Sequence, residues 1–224
     1  AEIRQAGYEF DKMRKRIIRH LNQRSEMLSG ISHDLRTPLT RMKLQLAFIK
    51  DQSLSNKLGE DISEMEKMLN EYLQFTSSSY LEKNEKFDLS KLLDEILNKY
   101  NNNNIKKNLI SKIYINGRRN LIKRCINNLI DNSIKYADEI YVELFEKNKG
   151  LFIKIDDNGP GIPEGEYENV FKPFYKIDKS RADSKSSVGL GLSIASDIVR
   201  SHGGNIVLER SKMGGLSVKI FLPI

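Results

Sequence analysis

From residue 8 to residue 72 the apolar side chains recur at spacings of three and four. They are Phe10, Met13, Ile17, Leu21, Leu28, Ile31, Leu35, Leu39, Met42, Leu46 and Ile49, then Leu58, Ile62, Met65, Leu69 and Tyr72. That period matches one face of an α-helix and no strand. The polar stretch "DQSLSN" (51–56) divides the run. The spacing therefore predicts a long helix over residues 8–50, or two joined end to end, a short connection and a second helix: an antiparallel hairpin. A hairpin with one apolar stripe per helix cannot bury both stripes alone, so a homodimeric four-helix bundle is its natural completion.

Inside the first helix sits "SHDLRTPLTR" (32–41). Pro38 has no N–H, so the Asp34 carbonyl loses its helical partner, at ~3 kcal/mol or more in a helix interior. Stability does not account for such a residue, and the position reads as a hinge one turn after His33. At 100° per residue, His33 lies about 160° from the centre of the apolar stripe, which predicts exposure. Thr37, Thr40, Leu44 and Phe48 share its outward face, and outward Leu44 and Phe48 point to a protein partner. An unprotonated imidazole nitrogen is a nucleophile near neutral pH. Asp34 can accept from the other ring nitrogen and fix the tautomer, and the Thr37 hydroxyl can orient a water. His20 and His202 read as structural, His202 as a cation favourable at a helix C-terminus.

The character changes after "TSSSY" (76–80). Residues 87–100 form a predicted helix with Asp88 or Ser90 as N-cap. "NNNNIKKN" (101–108) reads as a loop and "LISKIYIN" (109–116) as a strand. A helix follows over 119–137, then a strand pair at 140–148 and 151–159. A third helix is stopped by Gly203 and Gly204, and strands at 205–211 and 216–224 close the chain. Without a regular βαβ repeat, the expected class is α+β, a helical hairpin followed by an α/β sandwich.

Three polar clusters mark the second half. Asn128, Asn132 and Lys135 fall on one helix face; a carbonyl oxygen suits Mg²⁺ and a lysine suits phosphate. "DDNGPGIP" (156–163) follows an apolar strand, where Gly159 and Gly161 allow a flat ligand to approach the backbone. There Asp157 can accept from an exocyclic amine such as that of adenine. "SVGLGLSIA" (187–195) carries Gly189 and Gly191 into a helix N-terminus, a site for anions. Between the last two clusters, residues 170–187 read as a lid carrying Lys176, Lys179 and Arg181 towards phosphates.

In this order and separation, residues 83–224 resemble the N, G1, F and G2 boxes of the histidine-kinase ATP-binding domain, the fold shared with Hsp90, MutL and gyrase B. "SHDLRTPLTR" resembles the phosphoacceptor H-box of sensor histidine kinases, and much of residues 4–45 resembles that family, including the end of a HAMP domain. The resemblance implies three regions: residues 1–25 as the end of a signalling helix, 26–80 as dimerisation and phosphotransfer domain, and 81–224 as catalytic domain. It implies ATP as substrate and Mg²⁺ as cofactor, with Asn132 holding the metal and Asp157 reading adenine. Asn128, Lys135, Tyr136, Gly159, Gly161, Ile162, Lys176, Arg181, Gly189, Leu190, Gly191 and Leu192 would complete the nucleotide site. His33 would be phosphorylated, with Asp34 and Thr37 assisting, and would pass the group to an aspartate of a response-regulator receiver domain. The H-D-x-x-T pattern goes with phosphatase activity in that family. The resemblance departs at Ser187, where the family usually has glycine, and at Val188, where Ser or Thr is common. These two positions motivate the alternative, a nucleotide-binding scaffold that signals by conformation.

Composition adds little to the choice of chemistry. Lys+Arg 37 against Asp+Glu 30 leaves +7. With no zinc or RNA-binding signature, nucleic acid is not an expected partner. Seven basic against three acidic residues within 1–24 place +4 there. That segment reads as a solvated helix face or as one lying on the cytoplasmic side of a membrane. No apolar run reaches the ~18–20 residues that span a bilayer. Because the chain opens inside a helical pattern, the expectation is the cytoplasmic portion of a longer bacterial inner-membrane protein. The single Cys125 suits a reducing compartment.

Overall fold

Pro38 does not end its helix: Glu2–Leu46 form one α-helix of 45 residues, α1, with the proline inside it. The computed structural model describes residues 2–77, 82–100, 104–148, 150–177 and 189–223, side chains at 2, 3, 18, 21, 22, 24–26, 28, 29, 32 and 71–77 excepted. Leu21, Leu28 and Tyr72 of the stripe, residues 78–80 of the "TSSSY" stretch, and 101–103 of the asparagine run therefore fall outside the described side chains or backbone. The chain divides into two units, residues 1–81 and 82–224.

In the first unit, α1 returns through residues 47–51 into α2 (Gln52–Ser77). The connection lies earlier than the expected 51–56. Asp51 is the reason: its Oδ1 accepts from the N–H groups of Ser53 and Leu54 at 2.9 and 3.1 Å, capping α2 at the start of the polar stretch. The Ser55 hydroxyl donates to the Leu46 carbonyl at 3.1 Å and ties the turn together. Leu39 and Ile62 are buried between the helices. Ile31 and Leu35, from the same stripe, remain 42% and 46% exposed, as a two-helix hairpin with a narrow seam requires.

The second unit is built on a five-stranded sheet of order β2-β4-β5-β7-β6. The strands are β2 (Asn104–Leu109), β4 (Glu139–Lys147), β5 (Gly150–Asp157), β6 (Asn205–Arg210) and β7 (Leu216–Pro223). All neighbours are antiparallel except β2 and β4. A separate pair joins β1 (Glu85–Asp88) to β3 (Tyr114–Gly117). Among the described residues three α-helices complete it: α3 (Leu89–Leu97), α4 (Arg119–Tyr136) and α5 (Gly191–Ser201). Asp88 caps α3, its carboxylate accepting from the Lys91 N–H at 3.1 Å. Alternation along β4 and β5 turns Ile140, Val142, Leu144, Ile153 and Ile155 inward, and they are buried together with Ile122, Ile126 and Ile130 of α4. The α+β class holds. The strand β2 is a correction, because it lies in the segment expected to be a loop. Its N–H and C=O groups are satisfied by parallel pairing with β4, a partner 35 residues away in the register Asn104↔Glu139. Only Ile105 and Leu109 turn towards the interior, too few to signal a strand locally.

Candidate functional site

His33 stands on the outer face of α1, its side chain 82% exposed beside an equally exposed Asp34. Nδ1 lies 3.5 Å from the Asp34 Oδ1, so the carboxylate faces one ring nitrogen and leaves Nε2 outward. Arg36, Thr37, Thr40, Arg41 and Leu44 line one shallow depression with His33. Their angular positions at 100° per residue fall on one side of the helix. The Thr37 hydroxyl donates to the His33 carbonyl at 3.3 Å and that of Thr40 to the Arg36 carbonyl at 3.0 Å. Thr37 therefore keeps its acceptor lone pairs for a water or ligand. Leu44 and Phe48 are exposed, Phe48 at 85%. Fully hydrated, this imidazole is set up for attack on something delivered from outside.

In the second unit the polar clusters converge where α4, the loop after β5 and the start of α5 meet. Asp157 ends β5 and is 4% exposed. Its Oδ1 accepts from the Gly159 N–H at 3.0 Å and the Leu216 N–H at 2.9 Å, and its Oδ2 from the Ser133 hydroxyl at 3.3 Å. Such an acceptor, held by two backbone donors and a hydroxyl, keeps a lone pair on Oδ2 for one further donor. Gly159 packs against the carbonyl of Tyr136: a Cβ there would stand 2.7 Å from that oxygen. Gly191 faces Asn128 of α4. The end of α5 has no side-chain cap, so its first N–H groups point at this region. Gly189 has φ +78° and no room for a side chain against the Tyr175 carbonyl. Its own carbonyl accepts from the Phe174 N–H at 3.0 Å.

Among the described residues, Asn128 Nδ2 and Lys135 Nζ are buried without a hydrogen-bond partner. Lys135 Nζ does lie 5.0 Å from the Tyr136 ring centroid, but buried donors without an acceptor are costly. Two of them on one helix face, beside an uncapped helix N-terminus, fit an anionic ligand such as a nucleotide's phosphates. Asn132, Gly161, Ile162 and Leu192 are half-buried, Leu190 is buried, and Tyr136 is half exposed. Lys176 follows Tyr175, whose carbonyl packs against Gly189. Arg181, Lys179, Ser187 and Val188 lie outside the described residues.

Three residues that hold Asp157 escaped the sequence reading: Ser133, Gly215 and Leu216. Gly215 donates to the Asp157 carbonyl at 3.1 Å, and a Cβ on it would collide with the Asp157 carboxylate and the Gly159 nitrogen. The "GG" at 214–215 before a terminal strand was the one signal available. His202 is structural, but not as a cation. Its Nε2 accepts from the Arg118 N–H at 3.0 Å while Nδ1 lies 2.8 Å from the Ile198 carbonyl. Burial pushes its pKa down, helped by the nearby Arg118 and opposed by the Ile198 carbonyl and Glu82. The neutral ring ties the end of α5 to the start of α4.

Comparison with known proteins places both units. Residues 23–80 match the His Kinase A (phospho-acceptor) domain, and residues 117–224 match the histidine kinase-, DNA gyrase B- and HSP90-like ATPase family. The sensor histidine kinase GtrS of Pseudomonas aeruginosa is 34% identical over 226 residues, covering 100% of this chain and 47% of that protein. The sensor histidine kinase CpxA of Escherichia coli K12 is 30% identical over 239 residues, covering 100% of this chain and 52% of CpxA. The chain thus spans about half the length of these curated relatives. The solved ATP-binding domain of PrrB from Mycobacterium tuberculosis is 27% identical, with a TM-score of 0.51, and covers 63% of this chain and 98% of that one.

Proposed function

The chain belongs to the two-component sensor histidine kinases, and from that premise we propose that it transfers the γ-phosphoryl group of ATP to His33 and onward to a receiver aspartate. The observation that carries this reading is the outward His33 whose Nδ1 faces Asp34 at 3.5 Å. With Nδ1 holding the proton, the Nε2 lone pair forms the N–P bond as the bond from phosphorus to the β–γ bridging oxygen breaks. ADP leaves with that electron pair, and the charge left on the ring is shed as the Nδ1 proton passes to Asp34. Asp157 takes the adenine amino group on its remaining lone pair. Asn128, Lys135 and the first N–H groups of α5 receive the phosphates. A bound Mg²⁺ would supply charge neutralisation on those phosphates. The carbonyl oxygen of Asn132 is the ligand available to hold it.

Thr37 orients a water for the reverse duty, hydrolysis of the phosphorylated receiver. The apolar residues that the hairpin leaves open, Ile31, Leu35 and Met65 among them, meet a second copy of the chain. Exposed Leu44 and Phe48 receive the regulator. The basic residues of 1–24 lie against the cytoplasmic face of the membrane that anchors the full-length protein.

Incubation with γ-labelled ATP and Mg²⁺ tests the core of this reading. Acid-labile, base-stable label on the wild-type chain and none on His33→Gln is the expected result. Label retained on the variant overturns it.

A further inference from the structure

Two cations lie along the seam between α1 and α2, seven residues apart, and α2 treats them differently. Lys43 is matched by a carboxylate, its Nζ 2.5 Å from Glu66 Oε2. Among the described residues Arg36 is met by an amide and no carboxylate, its Nη2 donating to the Asn70 Oδ1 at 3.1 Å. Relative to His33, Arg36 falls about 60° round the helix and Lys43 about 80° in the same direction, at 100° per residue. Arg36 therefore stands between the His33 face and the packed side of the hairpin. It also lines the depression that contains His33 and Thr37, one helical turn from the imidazole, where side chains three apart are neighbours.

We propose that Asn70 is a positioning residue for the reaction at His33: its neutral carbonyl fixes the Arg36 guanidinium beside the imidazole without neutralising it. Asparagine is suited to this because it offers an acceptor and carries no charge. The guanidinium keeps four further N–H donors and its full positive charge for the phosphoryl oxygens as the group arrives on Nε2 and again as it leaves for the receiver. An aspartate at this place would hold Arg36 more tightly and spend its charge. The inference rests on the kinase reading for its substrate and on the hairpin's own contacts for its geometry.

Substitution at residue 70 separates positioning from bracing. A brace between helices is improved by Asn70→Asp and lost by Asn70→Ala. The proposal expects the opposite ranking in catalysis. Asn70→Asp unfolds at or above the wild-type temperature, yet its autophosphorylation kcat falls roughly tenfold, the scale of one charge-assisted contact, with KM for ATP within about twofold. Asn70→Ala loses less. In an Arg36→Gln background, Asn70→Asp causes no further loss. Wild-type turnover by Asn70→Asp, or an undiminished effect without Arg36, overturns the proposal.

A second readout does not depend on kinase activity. With His33 phosphorylated chemically by phosphoramidate, ³¹P titration is expected to show the phosphoryl group protonating at higher pH in Asn70→Asp than in wild type. Coincident titrations overturn the inference. A wild-type chain that takes no label from ATP refutes the kinase reading, and the titration then decides the role of Asn70 by itself.

Discussion

Asp157 and His33 carry the two halves of the proposed chemistry, and the protein surrounds them in opposite ways. The carboxylate is 4% exposed and both its oxygens are hydrogen-bonded within the second unit. The side chain of the imidazole is 82% exposed on a hairpin whose apolar stripe is itself half open. A group that recognises a base must be held still in a dry place, because a mispositioned acceptor there loses its selectivity. A group that takes a phosphoryl from one partner and yields it to another must be reachable from outside. The first unit therefore leaves its binding surfaces unfinished, while the second closes its core within one chain.

The hardest blow to that contrast is at Gly215. A side chain there meets the Asp157 carboxylate and the Gly159 nitrogen, and backbone atoms cannot swing aside. Gly215→Val should lower affinity for a fluorescent ADP analogue by a hundredfold or more, since it displaces Asp157, the acceptor proposed for the adenine amino group. The helicity of residues 1–81 and the chemical reactivity of His33 towards phosphoramidate should not change. Parallel loss of both would mean that the units are not independent.

A smaller effect separates a closed core from an open one. Ile126, 0% exposed in α4, should cost about 2–5 kcal/mol when cut to alanine, and the loss should be the same at every protein concentration. Leu35→Ala should cost little in a dilute chain and progressively more as concentration rises, because the proposed second copy supplies its contacts. Denaturation of both variants over a hundredfold concentration range is the check. A concentration-independent Leu35→Ala would remove the dimer from the reading.

The smallest effect is acid sensitivity confined to the second unit. His202 is half-buried and its Nε2 accepts a hydrogen bond, so partial burial holds its folded pKa below the ordinary 6.5. The unfolded chain then binds the proton first. The stability this group contributes is present above about pH 6.5 and is lost as pH falls towards the folded value. Thermal unfolding of residues 82–224 should shift downward between pH 7 and 5.5, and His202→Gln should flatten that slope. An unchanged slope would place the acid sensitivity elsewhere.

Much of this was legible beforehand because it is encoded over short spans. The helical period of residues 8–46, the outward angle of His33 and the glycines flanking Asp157 each depend on neighbours a few residues away. The errors arose where distant partners decide. Residues 104–109 become a strand because β4 offers a parallel edge. The connection between the helices moved to 47–51 because one carboxylate, Asp51, caps α2, while Phe48 and Ile49 continued the apolar rhythm past the end of α1. Ser133 and Leu216 reach Asp157 from 24 and 59 residues away, and no local pattern marks them.

Periodicity and turn chemistry act over one or two turns of chain, and they alone mark the helical segments, the outward face of His33 and the glycine-rich turn beside Asp157. Only the tertiary structure decided what holds Asp157 in place, that His202 is neutral, and that Arg36 is met by an amide where Lys43 meets a carboxylate. These depend on which side chains are brought within hydrogen-bonding distance across the fold, and burial and charge compensation arise only there.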